Sequence, residues 1–124
     1  MIDFKNAPYV KLKLDKTPKV KEVSSLLIPG EKVINSYTGM RDYVVFTDKR
    51  VISVNVQGLT GKKKDYTSMP YSKVSAFSVE TAGTFDIDSE LELYFSGVGK
   101  VKFEFAGNTD IVAIGQAIST YVLK

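Results

Sequence analysis

Three consecutive lysines, Lys62 to Lys64, follow a turn that contains Gly58 and Gly61. Ammonium groups beside the amides of a turn can hold a phosphate or a carboxylate, so this triplet is the first candidate for a ligand site. The glycine spacing of a nucleotide-binding P-loop is absent, and the pattern predicts that a strand follows where a P-loop needs a helix. Three interpretations stay open for these lysines: a solvated face that protects a strand edge, a contact between subunits, or a ligand site.

Four carboxylates alternate with apolar residues in the segment FDIDSELELYF. Alternate residues of a strand lie about 6.5 Å apart, which is too far for their carboxylates to converge on one calcium ion. Nothing in the pattern supplies the cleft or the unequal environments that a pair of catalytic carboxylates needs. The row is either a solvated face or a contact for lysines of a neighbouring subunit, and it consists of Asp86, Asp88, Glu90 and Glu92.

The 124-residue chain contains no histidine and no cysteine. The first absence removes the commonest general base, and the second removes disulfides and thiolate metal sites. We therefore predict a protein that is not an enzyme and that needs no metal and no cofactor. Its tyrosines and phenylalanines form no motif typical of nucleic-acid binding, so a nucleic-acid partner is not expected.

Positive charge is concentrated at the start of the chain. Residues 1–21 hold six lysines and two aspartates, a net charge of +4, whereas the remainder holds eleven basic and twelve acidic residues, a net charge of −1. Lysines keep an exposed segment soluble, but they can also bind an anionic membrane or an anionic ligand. The membrane alternative would use Lys11, Lys13, Lys16, Lys19 and Lys21, together with Lys62 to Lys64.

The composition is that of one globular domain. Hydrophobic residues make up 44% of the chain and charged residues 25%, which are ordinary values for such a domain. No apolar run is long enough for a signal peptide or a membrane span, so a cytoplasmic location is expected.

The start of the chain is predicted to be an arm and a short helix. Residues 10–15 alternate between apolar and charged types, which indicates a strand or an extended arm. A helix should then be capped by Thr17 and end at Pro29–Gly30. We accordingly divide the single domain into an arm and short helix at 1–30 and a strand-rich body at 31–124. The buried side of the helix would consist of Val20, Val23, Leu26 and Leu27.

Two hairpins are predicted in the body of the chain. In DYVVFTDKRVISVNV, a tight turn at Asp48–Lys49 would pair Phe46 with Val51. The second hairpin turns at Gly97–Gly99, and a register centred on Val98 would pair Leu93 with Phe103. The inward faces of its strands would consist of Phe85, Ile87, Leu91, Leu93 and Phe95 on the first and Val101, Phe103 and Phe105 on the second.

The last segment changes to a helical period. Ile111, Ile114 and Ile118 recur at spacings of three and four, which predicts an amphipathic helix capped by Asn108 or Thr109. The resulting outline is a mainly β domain of seven antiparallel strands with one C-terminal α-helix.

The motifs between Met40 and Gly97 resemble those of the bacterial pleckstrin-homology-like (PH-like) domain family, the YokE-like group formerly catalogued as a domain of unknown function. The resemblance implies a PH-like barrel of seven antiparallel strands whose open end is capped by the C-terminal helix. It also implies a non-enzymatic module whose copies assemble into a ring, most typically a pentamer, and which can bind a further protein. The motifs are Arg41–Asp42, Phe46–Thr47, Lys49–Arg50, Gln57–Gly58, Gly61–Lys63, Pro70–Tyr71, Phe77–Gly83 and Asp88–Glu90.

The resemblance does not imply a phosphoinositide site. Eukaryotic PH domains hold that headgroup with basic residues between their first two strands. The corresponding junction here, YTGMRDY, has Arg41 as its one cation, directly beside Asp42.

Overall fold

The structure is a computed structural model, and it describes residues 1–5 and 9–124. The described residues form one bent sheet of eight strands in the order β5-β4-β3-β2-β1-β8-β7-β6. Neighbouring strands are antiparallel except β1 and β8, which are parallel. The strands are β1 (Tyr9–Leu14), β2 (Val33–Thr38), β3 (Tyr43–Thr47), β4 (Arg50–Gln57), β5 (Lys63–Pro70), β6 (Val74–Glu80), β7 (Ser89–Phe95) and β8 (Gly99–Phe105), and the helices are α1 (Val20–Val23) and α2 (Ile111–Val122).

The predicted barrel of seven strands is wrong in strand number and in closure. The additional strand is β1, which lies between β2 and β8. Its inward residues, Tyr9 and Leu12, are three apart, and a regular strand would point them to opposite faces. The backbone of Lys11 has a φ of 55°, and the register shifts there, so both side chains are buried. The sheet stays open because β5 and β6 each have a strand neighbour on one side only.

Helix α2 packs across the opening of the bent sheet. Ile111, Ile114 and Ile118 are buried in the main core, as predicted. The N-cap is Asp110, whose carboxylate accepts a hydrogen bond from the Ala113 N–H at 3.0 Å, so the predicted cap at Asn108 or Thr109 is wrong by one or two residues.

The β3–β4 hairpin has the predicted register. Phe46 lies opposite Val51, and Val45 lies opposite Ile52. The pleat divides these residues between two cores. Phe46 and Val51 face the main core, whereas Val45 and Ile52 face a smaller cluster on the outer side of the sheet.

The β7–β8 hairpin is shifted from the predicted register. Leu93 lies opposite Val101, so the hairpin is centred on Gly97. Gly97 and Gly99 both have positive φ, 91° and 96°, and they allow a turn of three residues after Phe95. Because the shift moves each partner by two residues, Val101 and Phe103 remain inward and buried.

Helix α1 is much shorter than predicted, and a 3-10 turn at Ser24–Leu26 follows it. Val23 is buried in the outer cluster, whereas Val20 and Leu26 are exposed. The predicted Thr17 cap is wrong, because Lys19 occupies the cap position. The guanidinium of Arg50 donates to the carbonyl of Leu26, the last residue of this turn, at 2.6 Å.

Candidate functional site

Two turns lie together at one end of the sheet. Strands β2 to β5 are successive antiparallel neighbours, so the β2–β3 and β4–β5 turns share an end. The Arg41 guanidinium donates to the Gly58 carbonyl and ties the two turns together. Asp42 accepts from the Val56 N–H at 2.8 Å and from the Asn55 amide at 3.1 Å. The side chains of the Arg41–Asp42 motif therefore link the two turns.

The same contact between the two turns requires glycine at position 61. Its φ is 68°, and a Cβ there would lie 3.3 Å from Val56 Cγ1 and 3.8 Å from an Arg41 guanidinium nitrogen. A larger residue would strain the backbone and crowd the guanidinium. The glycine therefore shapes the turn.

The clasped turns present apolar tips beside basic residues. Met40 and Leu59 are fully exposed, at 100% and 107% of their reference areas. Lys62, Lys63 and Lys64 are also exposed, and the last two open edge strand β5. We call residues 39–42 and 58–64 the basic end.

The predicted acidic row does not form one strand face. Strand β7 begins at Ser89, so Asp86 and Asp88 lie in the preceding loop. Within the chain, Lys11 Nζ lies 2.8 Å from Asp88 Oδ2, and a hydrogen bond from Lys11 lowers the pKa of Asp88. Lys102 Nζ lies 3.3 Å from Glu90 Oε1.

The remaining acidic residues of this face also have neighbours in the chain. Glu92 lies opposite Lys102 across the β7–β8 pair. Burial raises the pKa of Glu104, and the Asp88 carboxylate adds to the increase. Much of the acidic face is thus balanced by lysines of the same chain.

Residues 81–88, which we call the acidic loop, carry a fully exposed aromatic tip. Phe85 is 100% exposed and Ile87 is 61% exposed, so the prediction that both face inward is wrong. The Gly83 N–H donates to the Asp86 carbonyl at 2.7 Å and shapes the loop. Ile87 packs over Gly107, where an added Cβ would lie 2.7 Å from its Cδ1.

The N-terminal lysines are spread along the chain from β1 to α1. Lys11 pairs with Asp88, and Lys19 lies 3.7 Å from Asp15 and over the Tyr43 ring. The other lysines of this set, Lys13, Lys16 and Lys21, are exposed.

The sequence of residues 5–122 matches the pattern described as "Bacterial PH domain". The chain belongs to the bacterial PH domain family. The predicted resemblance is thereby confirmed.

Two crystal structures of bacterial proteins share the fold. One is a DUF1696 family protein with a pleckstrin-homology domain from Shewanella loihica PV-4, which is 37% identical with a TM-score of 0.76 over 94% of this chain and 99% of that chain. The other is a pleckstrin homology domain from Shewanella amazonensis SB2B, which is 39% identical with a TM-score of 0.67 over 89% of this chain and 94% of that chain.

The Bacillus subtilis (strain 168) protein YjqA, described as uncharacterized, is 54% identical over 76 residues. That match spans 61% of this chain and 61% of the length of YjqA.

Several motif residues of this bacterial PH domain build a buried charge network. The side chain of Glu31 is 1% exposed, and its carboxylate accepts two hydrogen bonds of 2.9 Å from Arg50. The Thr47 hydroxyl donates to the same carboxylate at 2.7 Å, and the Tyr71 hydroxyl donates to the Thr47 carbonyl at 2.7 Å. These motif residues hold the segment before β2 against the β3–β4 turn.

Sequence reasoning missed the exposed apolar tips and the edge positions of β5 and β6. Met40 and Leu59 are each flanked by turn-forming or charged residues, and that pattern could have marked them as tips. Among residues 1–5 and 9–124, no group of three or more acidic side chains has the arrangement of a metal site. The same residues contain no helix long and apolar enough to cross a bilayer.

Proposed function

We propose that this bacterial PH domain is a non-enzymatic binding or scaffold module whose copies assemble into a five-membered ring. The observation that carries the proposal is the open sheet, which ends in β5 on one side and in β6 on the other. An edge strand presents unpaired N–H and C=O groups that can add a strand from another chain. Because the two edges differ in sequence, joining them is a head-to-tail contact, which generates a closed ring when its rotation closes.

Strand β6 is the less protected of the two edges. Ser75, Ala76, Ser78 and Val79 are exposed along it. By contrast, β5 carries Lys63, Lys64 and Pro70, which are residue types that discourage indiscriminate pairing. Because β5 resists pairing with arbitrary strands, we expect it to pair only with a complementary strand, such as β6 of another copy.

The non-enzymatic part of the proposal is supported by what the buried ionisable groups do. Glu31 and Arg50 neutralise each other, and Arg50 also donates a hydrogen bond to the Leu26 carbonyl. Burial raises the pKa of the Tyr9, Tyr43 and Tyr71 hydroxyls, so they stay protonated and cannot act as bases near neutral pH.

Light scattering coupled to size-exclusion chromatography tests the assembly. With a chain mass of 13.7 kDa, five copies should give about 69 kDa. The mass should stay constant over a wide concentration range if the ring is closed, since a closed ring has no end to extend. A monomer at every concentration would contradict the proposal.

A second candidate function is binding to an anionic membrane or another anionic ligand. It is favoured by the exposed apolar tips Met40 and Leu59 beside Lys62 to Lys64. The lysines of residues 11–21 would add to the attraction. Lysines near an anionic surface contribute about 1 kcal/mol each, and salt screens that attraction.

Flotation with phosphatidylserine vesicles tests this second function. We expect binding at low salt and release at moderate salt. Changing Lys62, Lys63 and Lys64 to glutamine should weaken binding about a hundredfold, from about 1 kcal/mol for each lysine. The matched control changes three other exposed lysines, Lys32, Lys49 and Lys73, to glutamine. Absence of co-flotation at low salt would remove this function.

A further inference from the structure

We infer that the cleft between helix α2 and strand β2 binds a small, neutral aliphatic molecule that carries one oxygen atom, such as a short-chain alcohol. The cleft has a volume of about 60 Å³ and is partly open to solvent. Strand β2 lies inside the sheet, between β1 and β3, so this site involves neither edge strand and does not depend on the proposed assembly.

Small side chains on the helix and an irregular strand create the cleft. Ala113 and Ala117 line it from α2, whereas the isoleucines of this helix are buried in the main core. On the other side, the register of β2 shifts between Val33 and Asn35, so Ile34 is an extra residue that bends the strand. Two methyl groups on the helix and a bend in the strand together leave space that larger side chains would fill.

A buried hydroxyl without a partner lines the cleft. Tyr37 is only 5% exposed, and among residues 1–5 and 9–124 its hydroxyl has no hydrogen-bond partner. Burial raises the pKa of this hydroxyl, and the carboxylate of Asp110 at the start of α2 adds to the increase, so the hydroxyl end of the ring lies toward the helix. Because a buried hydroxyl without a hydrogen bond is costly, an oxygen atom of a ligand that accepts from it would be stabilised there.

The groups around the cleft select a neutral ligand. The Tyr37 hydroxyl keeps its proton near neutral pH and is therefore a hydrogen-bond donor. The negative charge of Asp110 would repel a carboxylate, whereas an ammonium group would lose its hydration against apolar walls that include Phe46, Ile114 and Ile118. A hydroxyl or carbonyl oxygen has neither cost.

The dimensions of the cleft favour a short chain over an aromatic ring. Its volume is less than half of the roughly 150 Å³ that accommodates benzene. Ala113 and Ala117 are one helical turn apart, about 6 Å along the axis, which is roughly the length of a chain of four carbons. One turn beyond Ala117, the stacked rings of Tyr121 and Tyr71, 5.5 Å apart between centroids, limit the cleft. We therefore expect 1-butanol to fill it.

An NMR titration with ethanol, 1-propanol, 1-butanol and 1-hexanol tests the site. The backbone amides of residues 34–37 and 113–121 should shift in a saturable way, with a Kd for 1-butanol in the millimolar range. From ethanol to 1-butanol, each added methylene should tighten binding about fourfold, as burial of one CH₂ group predicts. The gain should disappear between 1-butanol and 1-hexanol, because the longer chain leaves the cleft. Butyrate, which has the same chain and a negative charge, should cause no saturable shift.

Two substitutions separate the walls of the cleft from its hydroxyl. Ala117→Leu should weaken the binding of 1-butanol about tenfold or more, because the leucine and the ligand cannot occupy the same space. The matched control is Gln116→Leu, which adds leucine at an exposed position of α2 that faces the groove beside β6, and it should leave binding unchanged. Tyr37→Phe keeps the ring and should weaken the binding of 1-butanol about fivefold, the effect of one hydrogen bond. The gain per methylene should stay the same in Tyr37→Phe.

Absence of saturable shifts with every one of these alcohols would overturn the inference. Equal binding of 1-butanol by wild type and by Ala117→Leu would also overturn it, and circular dichroism establishes that the variant is folded. If Ala117→Leu does not fold, Ala113→Val narrows the same cleft with a smaller side chain and takes its place. A gain per methylene that continues unchanged to 1-hexanol would contradict a cleft of limited length, because the alcohols would then bind an open apolar surface.

Discussion

Replacing Phe103 by alanine should lower the free energy of unfolding by about 3–5 kcal/mol, the range for removing a buried phenyl group. Phe103 is completely buried, and its ring makes edge contacts with Tyr9 at 5.6 Å and Phe46 at 6.2 Å between centroids. It thus joins β8 to β1 and to β3 across the interior of the bent sheet. The loss includes these contacts and the cavity that remains. Urea denaturation followed by tyrosine fluorescence or circular dichroism would measure it.

Phe85→Ala is the matched control for this change. It removes the same phenyl group from a fully exposed position. The free energy of unfolding of the monomer should change by no more than about 0.5 kcal/mol. Equal losses for the two variants would contradict the assignment of Phe103 to the core and of Phe85 to the surface.

Replacing Glu31 by alanine should lower the free energy of unfolding by about 3–5 kcal/mol, because the change leaves a largely buried guanidinium without its partner. The Arg50 side chain is 20% exposed, and Glu31 takes two of its hydrogen bonds. The Thr47 hydroxyl loses its acceptor as well. Glu31→Gln keeps part of the hydrogen bonding and should lower the free energy of unfolding less than Glu31→Ala does. The double variant Glu31→Ala with Arg50→Met should recover part of the loss.

The contribution of Glu31 should also depend on pH. Burial alone would raise the pKa of this carboxyl, but hydrogen bonds from Arg50, Thr47 and the Ile28 N–H together lower it. Its folded pKa therefore lies below its unfolded pKa of about 4.3. The stabilisation is fully present above that unfolded value and is lost as the pH falls through the folded pKa. The difference in the free energy of unfolding between wild type and Glu31→Gln should become smaller as the pH is lowered from 7 to 3. A difference that stays constant over this range would contradict the ion pair.

The position of the lysine triplet Lys62 to Lys64 in the sheet bears on which interpretation of it is correct. Lys63 and Lys64 lie at the start of an edge strand, and the acidic residues once expected to meet them are partly used by Lys11 and Lys102.

Local patterns predicted the elements whose partners are close in sequence. The β3–β4 register follows from a two-residue turn between β-branched runs, and helix α2 follows from the spacing of Ile111, Ile114 and Ile118. The β7–β8 hairpin was also predicted, but its register was not. Two glycines with positive φ permit more than one turn length, and alternation of side chains cannot choose between registers that differ by two residues.

The sequence by itself determined the mainly β class, the C-terminal helix and, through its motifs, the family. Only the tertiary structure decided that β1 enters the sheet, that β5 and β6 are its edges, and that Lys11 neutralises Asp88 from 77 residues away. The physical reason is the range of the interactions. Periodicity and turn chemistry act over a few neighbouring residues, whereas edges and ion pairs depend on how the whole sheet bends around its core. The same bending left Phe85 and Leu59 in solvent at opposite ends of the sheet.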